Sequence, residues 1–371
     1  MDSLDGVTLT KGGKAAYSFA DSDSFSMMSG QASGSRWGLK GTEDLGNGLT
    51  VGFILEDGFT SDNGADSAPM FNRESSLFVQ GGFGKFAMGR MGSLNNGQSS
   101  WAKVGMVSAF GTSDWGGYSA QLGNIFSLAG QWDNMVAYET PSFAGFKVYA
   151  QYAMGSNDNE NESSSDRYYA IGATYNNGPF AGYFAVDSIN YQTSGAKIDD
   201  KYIDDSLTVT LGGSWNFEVA KVYFGAQYFD EVKLSSIGGI TKTTVSDVNL
   251  SKIGDLPDIT VGALVKVKGY GISLTADAPV AGGKAMFGVG YVDAEAADSI
   301  QDALKDANTD ADLDLKRYVV SVGYDYPFSK RTDVYAIASY MQDQVDAKLN
   351  GTSEDWDPSA YTLYVGLRHK F

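Results

Sequence analysis

The heptapeptide Ser35-Arg36-Trp37-Gly38-Leu39-Lys40-Gly41 constrains the whole chain. In an extended strand, successive side chains point to opposite faces. Trp37 and Leu39 therefore share one face, and Arg36 and Lys40 share the other. One greasy face and one basic face on a single strand is unusual for a soluble β-sandwich. The same alternation recurs, with Leu49, Val51, Phe53 and Leu55 against Thr50, Gly52, Ile54 and Glu56. Phe146, Val148, Ala150 and Tyr152 likewise oppose Lys147, Tyr149 and Gln151.

Period-two stretches continue along the chain and predict strands. They run over Val7–Phe19, Arg73–Val79, Phe86–Arg90, Met135–Glu139, Tyr168–Tyr175, Phe180–Val186, Leu207–Phe217, Lys221–Phe229, Tyr270–Ala278, Lys284–Val292, Lys316–Tyr326, Val334–Met341 and Tyr361–Phe371. Short turns such as Glu43–Gly48, Gly81–Gly84, Asn176–Pro179, Glu218–Ala220, Pro279–Gly283 and Pro327–Thr332 alternate with long loops. Short turns on one rim and long loops on the other mark a transmembrane β-barrel of the outer-membrane type. Both termini on one rim require an even strand number. Ile259–Lys268 is also strand-like, but placing it within a long loop from Val232 to Lys268 leaves sixteen strands. The expectation is an all-β, 16-stranded antiparallel barrel occupying residues 1–371 as one domain. Aromatics at strand ends, such as Tyr17, Phe19, Tyr152, Tyr326 and Phe371, would form its interfacial girdles, with His369 beside them.

The stretch from Gly92 to Asp133 does not alternate. It is rich in Gly, Ser and aromatics and contains no proline. A loop of this length in a compact domain is uncommon and is usually functional. It is expected to fold into the barrel and narrow it.

Composition removes several alternatives. No cysteine is present, which excludes disulfide scaffolds and thiolate chemistry, and the one histidine is His369. Ser-His-Asp catalysis and multi-histidine metal sites are correspondingly disfavoured. A net charge of −18 argues against a nucleic-acid partner. The acids concentrate in Asn157–Asp166, Asp199–Asp205 and Asp293–Asp314, which suit solvated loops. No run is apolar for long enough to make a spanning helix, and mean hydropathy is −0.21. A membrane barrel, however, carries only short alternating segments. Met1 precedes Asp2-Ser3-Leu4-Asp5 with no charged-then-apolar leader, as in a mature chain restarted with an initiator methionine.

Ser35–Leu49, Gly81–Gly84, Tyr138–Phe146, Tyr324–Thr332 and Val365–Phe371, taken in order, resemble the trimeric general porins of Gram-negative bacteria, especially the neisserial and other beta-proteobacterial type. The first motif and the closing Gly366–Phe371 carry most of that likeness. The resemblance implies a homotrimeric, water-filled outer-membrane channel for small hydrophilic solutes. Outer-membrane lipid and lipopolysaccharide would surround it, and no cofactor would be needed. It makes Gly92–Asp133 the third, constricting loop, with Asp114-Trp115-Gly116-Gly117 similar to an acidic-aromatic tip. It also implies a basic wall at Lys14, Arg36, Lys40 and Arg73. Ala137 stands where many relatives carry arginine, and Ala87 replaces a common basic residue.

Lys147 and Lys221 extend the inward-facing bases, and Glu56, Glu139 and Asp114 are the inward acids. Arg90 fits either face, since alternation puts it beside Phe86 and Met88. Charges at the narrow point act at short range, whereas loop acids are screened over roughly 8 Å. The expected selectivity is a mild anion preference. Asp306, Asn308, Asp310 and Asp312 have calcium-loop spacing, but Ala311 replaces the required Gly and Arg317 occupies the bidentate Glu position. Rival functions are a surface β-rich binding protein or adhesin, and an outer-membrane barrel enzyme. The lone His369 weighs against the enzyme.

Overall fold

The computed structural model describes residues 2–4, 8–11, 14–18, 22–66, 69–111, 122–155, 166–191, 197–198, 201–202, 204–233, 266–306, 311–349, 352–357 and 359–371. Among them, eighteen strands join in one antiparallel sheet. Fifteen of these are long, from Arg36–Gly46 through Ser359–His369. Each long strand pairs with its neighbour in sequence. Arg36–Gly46 pairs with Leu49–Gly58, and so on to Thr332–Leu349 with Ser359–His369. The ends of the sheet approach each other, because the Tyr335 side chain hydrogen-bonds the Ala32 backbone just ahead of Arg36.

The sheet is inverted relative to a soluble protein. Trp37, Leu39, Phe53, Leu211, Ile272, Val320 and Leu363 are exposed on its outer face. Thr208, Thr210, Gln227, Ser273, Thr275, Ser321 and Ser339 are buried on the inner one. A spanning strand has this pattern because lipid contacts the outside and every backbone polar group is satisfied by a neighbouring strand. Aromatic rings line both ends of the outer face. At the short-turn end the rings run Phe146–Tyr175 at 4.2 Å, Tyr175–Phe180 at 6.0 Å and Phe180–Trp215 at 6.1 Å. At the other end Tyr152–Tyr169 and Tyr291–Tyr318 sit 5.1 and 5.2 Å apart. Tyr326, His369 and Phe371 fall at the short-turn end as expected, with His369 edge-on to Phe371 at 4.6 Å. The side chains of Tyr17 and Phe19 lie outside the description.

Asn47 and Gly48 turn with φ of 53° and 75°, the double positive φ of a tight type I′ hairpin. This is why the Asn-Gly pair ends one strand and starts the next.

Three expectations are corrected. The single first strand over Val7–Phe19 is replaced by Thr8–Lys11 and Lys14–Ser18, paired with each other in a separate two-stranded sheet. Gly12-Gly13 between them is itself a hairpin sequence, and local closure wins over extension. Lys266–Lys268, placed in a loop by the parity argument, begins the strand Lys266–Val280. Its Lys266 and Val267 pair with Lys233 and Val232 across a bulge. The acidic run Asp293–Asp314 is not one solvated loop. Gly283–Ala296 extends through Asp293 and Glu295, Asp298–Asp306 is a helix, and Ala311–Pro327 begins the next strand.

Candidate functional site

The segment between the strands Gly84–Gly92 and Gln131–Glu139 turns inward, starting at Ser93. Gln131, Trp132 and Asp133, assigned to the loop from sequence, belong to the strand. The inner face of the sheet holds the segment from many sides. Gln151 accepts from the Leu94 amide at 3.0 Å and donates to the Gly92 carbonyl at 3.1 Å. Asn95 donates to Asp187 and accepts from the Tyr183 hydroxyl at 2.7 Å. Thr275 accepts from the Ala109 amide, and Gln227 bridges both the amide and carbonyl of Ser127. Arg317, fully buried, binds Asp343 through both carboxylate oxygens at 2.7 and 2.8 Å and donates to the Asn124 carbonyl at 3.1 Å.

Apolar anchors complete the attachment. Leu94, Val104, Val107, Leu122, Ile125 and Phe126 are all fully buried. Glycines on the wall make room for them. A Cβ on Gly225 would lie 2.9 Å from Val107 and 3.1 Å from Phe126, and one on Gly212 would lie 2.6 Å from Val107. At Gly271 and Gly290 it would run into Ile125. Burying a Leu, Ile or Phe is worth about 1.5–3 kcal/mol each, so a sheet with a polar lining gains its apolar core from this loop.

The predicted charges fall into two clusters. In the first, Glu56 bridges Arg36 at 3.3 Å and Arg73 at 2.7 Å. Arg73 is 7% exposed, just ahead of the strand Glu74–Gly81, and its amide also donates to the Glu56 carbonyl. Arg36 further donates to Ser33 and the Gly34 carbonyl. Two guanidiniums share one carboxylate there. In the second cluster, Lys147 contacts Glu139 at 2.6 Å. Lys40 is exposed on the same strand as Arg36, with no ion-pair partner among the described residues. Lys221 lies over the Tyr223 ring at 4.7 Å, near a short turn. Lys14 sits opposite Lys11 in the separate hairpin, outside the large sheet. Asp114 lies outside the described residues, as do Asn308 and Asp310. Asp306 ends a helix and Asp312 is on a strand. Among the described residues, no group of three or more His, Asp or Glu could hold a metal.

Ala87 and Ala137 face each other across a strand pair and are 1% and 2% exposed. Arg90 is a structural tie, donating to the Asn72 carbonyl and to Asp133 at 2.6 Å beside a bulge.

Two lysines escaped the sequence reading. Lys85, two residues before Ala87 on the same face, lies 4.9 Å from the Trp101 ring and 4.5 Å from that of Phe78. Period-two parity with Ala87 was the signal that could have found it. Lys103, on the inward loop, donates to the Ser100 carbonyl at 3.0 Å and stands 5.3 Å over Tyr149. Burial pushes its ammonium down to about 8, against the pull of the Glu139 carboxylate. No periodicity in the loop could have marked it.

The model of the Gram-negative porin family matches residues 5–346. An outer membrane porin protein of Bordetella pertussis is 31% identical over 94% of this chain and 85% of its own length. Outer membrane porin protein 32 of Delftia acidovorans is 28% identical over 92% and 85%. The solved anion-selective porin from Comamonas acidovorans superposes with a TM-score of 0.60, at 24% identity, over 100% of this chain and 97% of its own.

Proposed function

This chain belongs to the Gram-negative porin family, the outer-membrane diffusion channels, and on that footing we propose that it passes small hydrophilic solutes with a mild preference for anions. It would work as a homotrimer set in lipid and lipopolysaccharide. Membership points to a channel and not to an enzyme. The observation that carries the reading is the combination of an apolar outer face with a long segment bound to the polar inner face. Such a segment leaves room for water and ions yet narrows their path.

The sign of the preference follows from charge at short range. Two guanidiniums meet one carboxylate at Arg36, Arg73 and Glu56, and Lys40 adds a further base. Lys147 and Glu139 cancel. The similar porin from Comamonas acidovorans is anion-selective, the same sign.

Planar-bilayer recording across a KCl gradient tests this. The expected result is stepwise conductance in groups of three, with a reversal potential on the anion side. Strong cation preference at moderate salt would overturn the selectivity, and the absence of a pore would overturn the channel.

A further inference from the structure

Filters of this kind are expected to set acids on the loop against bases on the wall. Here the loop also presents a base toward the wall. Four charged groups on the wall interact with Lys103 on the loop: Lys85 on the strand Gly84–Gly92, Lys147 on Phe146–Ala153, Glu139 on Gln131–Glu139, and Glu74 on Glu74–Gly81.

The two carboxylates are already engaged. Glu139 holds Lys147 at 2.6 Å, and Glu74 accepts the Ser100 amide at 2.8 Å, the Ser100 hydroxyl at 2.9 Å and the Ser76 hydroxyl at 2.8 Å. Lys85 and Lys103 make no ion pair within 4.0 Å among the described residues. Each instead lies against an aromatic face, Trp101 and Tyr149 respectively. Both lysines are half-buried. Stacked ammoniums keep donors turned away from the ring, and an aromatic face satisfies a cation without neutralising it. The recess therefore keeps net positive charge in a site of restricted solvent, where a unit charge acts more strongly than at the surface.

We propose that Lys103, backed by Lys85, is a selectivity-determining cation carried by the inward loop itself, and that anions on their way through the pore pass this recess. The inference rests on the channel reading above and adds a residue that the wall clusters do not contain. It also makes the filter titratable. Burial pushes the Lys103 ammonium down to about 8, within the range a pH series can reach. The anion preference should thus be full below about pH 7 and fall as pH rises through 8.

The test is the reversal potential in a KCl gradient at pH 6.5 and pH 9.5, for wild type, Lys103→Met and Lys103→Arg, each checked for folding by trimer migration. For wild type, the anion-to-cation permeability ratio should fall roughly two- to threefold from pH 6.5 to 9.5, the effect of one charge about 10 Å away in a partly screened pore. Lys103→Met should show the lower ratio at both pH values. Lys103→Arg should keep the higher ratio and lose most of the pH step. Wild-type selectivity retained in Lys103→Met, or an unchanged pH step in Lys103→Arg, would overturn the proposal. If wild type proves cation-selective while Lys103→Met still moves it further toward cations, the overall sign is wrong and the role of Lys103 stands.

Discussion

Neighbouring residues on one strand meet opposite environments. Leu39 is 57% exposed on the outer face, while Lys40 shares the inner side with Arg36. Leu39→Asp should impair folding into detergent, since a charged side chain on the lipid face is destabilising near mid-membrane, a carboxylate by somewhat less than the roughly 2–4 kcal/mol of a Lys or Arg. Lys40→Asp should fold normally. The reverse outcome would show that the faces are exchanged. Arg317 and Asp343 pose the contrary problem, a charge pair with no exposure at all. Arg317→Met strands the Asp343 carboxylate and leaves the Asn124 carbonyl without this donor. It should lower stability by about 3–5 kcal/mol in denaturant titration. Adding Asp343→Leu should recover much of that loss, because the stranded charge is the costly part. A single mutant as stable as the double mutant would refute this account.

A long loop and a set of glycines form one element. Ile125 fits only because Gly271 and Gly290 offer no side chain at its contact points. Val107 and Phe126 likewise rest on Gly212 and Gly225. The loop is thus fastened along most of its length, and deletion within Ser108–Leu122 should remove part of the obstruction while the strands remain paired. Single-channel conductance should rise, with the protein still folded in detergent. Unchanged conductance in a folded deletion mutant would mean that this part of the loop does not narrow the path.

Over the whole molecule, a charge of −18 is compatible with the proposed anion preference if the two are separated in space. Acids at the long-loop end, including Glu295, Asp312 and Asp314, are exposed. At physiological salt the Debye length of roughly 8 Å screens them from the constriction. Charge at the narrow point then dominates. Arg36→Glu combined with Lys40→Glu should abolish or reverse the anion preference in a reversal-potential measurement, even though it changes the total charge by a small fraction. An unaltered sign would mean that neither residue borders the conducting path.

The sequence by itself determined the class of fold, the facing of strands such as those through Trp37–Lys40 and Phe146–Tyr152, and the inward segment. Those properties follow from period-two alternation, Asn-Gly turns between strands and one long stretch that does not alternate, all of them local. It also singled out Arg36, Glu56 and Arg73, which the structure brings into one cluster, although alternation alone could not explain why Arg73 joins them. Arg73 precedes its strand and reaches Glu56 from the loop end. Only the tertiary structure decided the pairings. Lys103 meets Lys85 and Tyr149, and Arg317 meets Asn124, a residue 193 positions away. The N-terminal hairpin, too, was a choice between two strand pairings that the same residues allow. Alternation specifies which way a side chain points, but the partner across a water-filled interior depends on how the sheet curves. That curvature is a property of all the strands together.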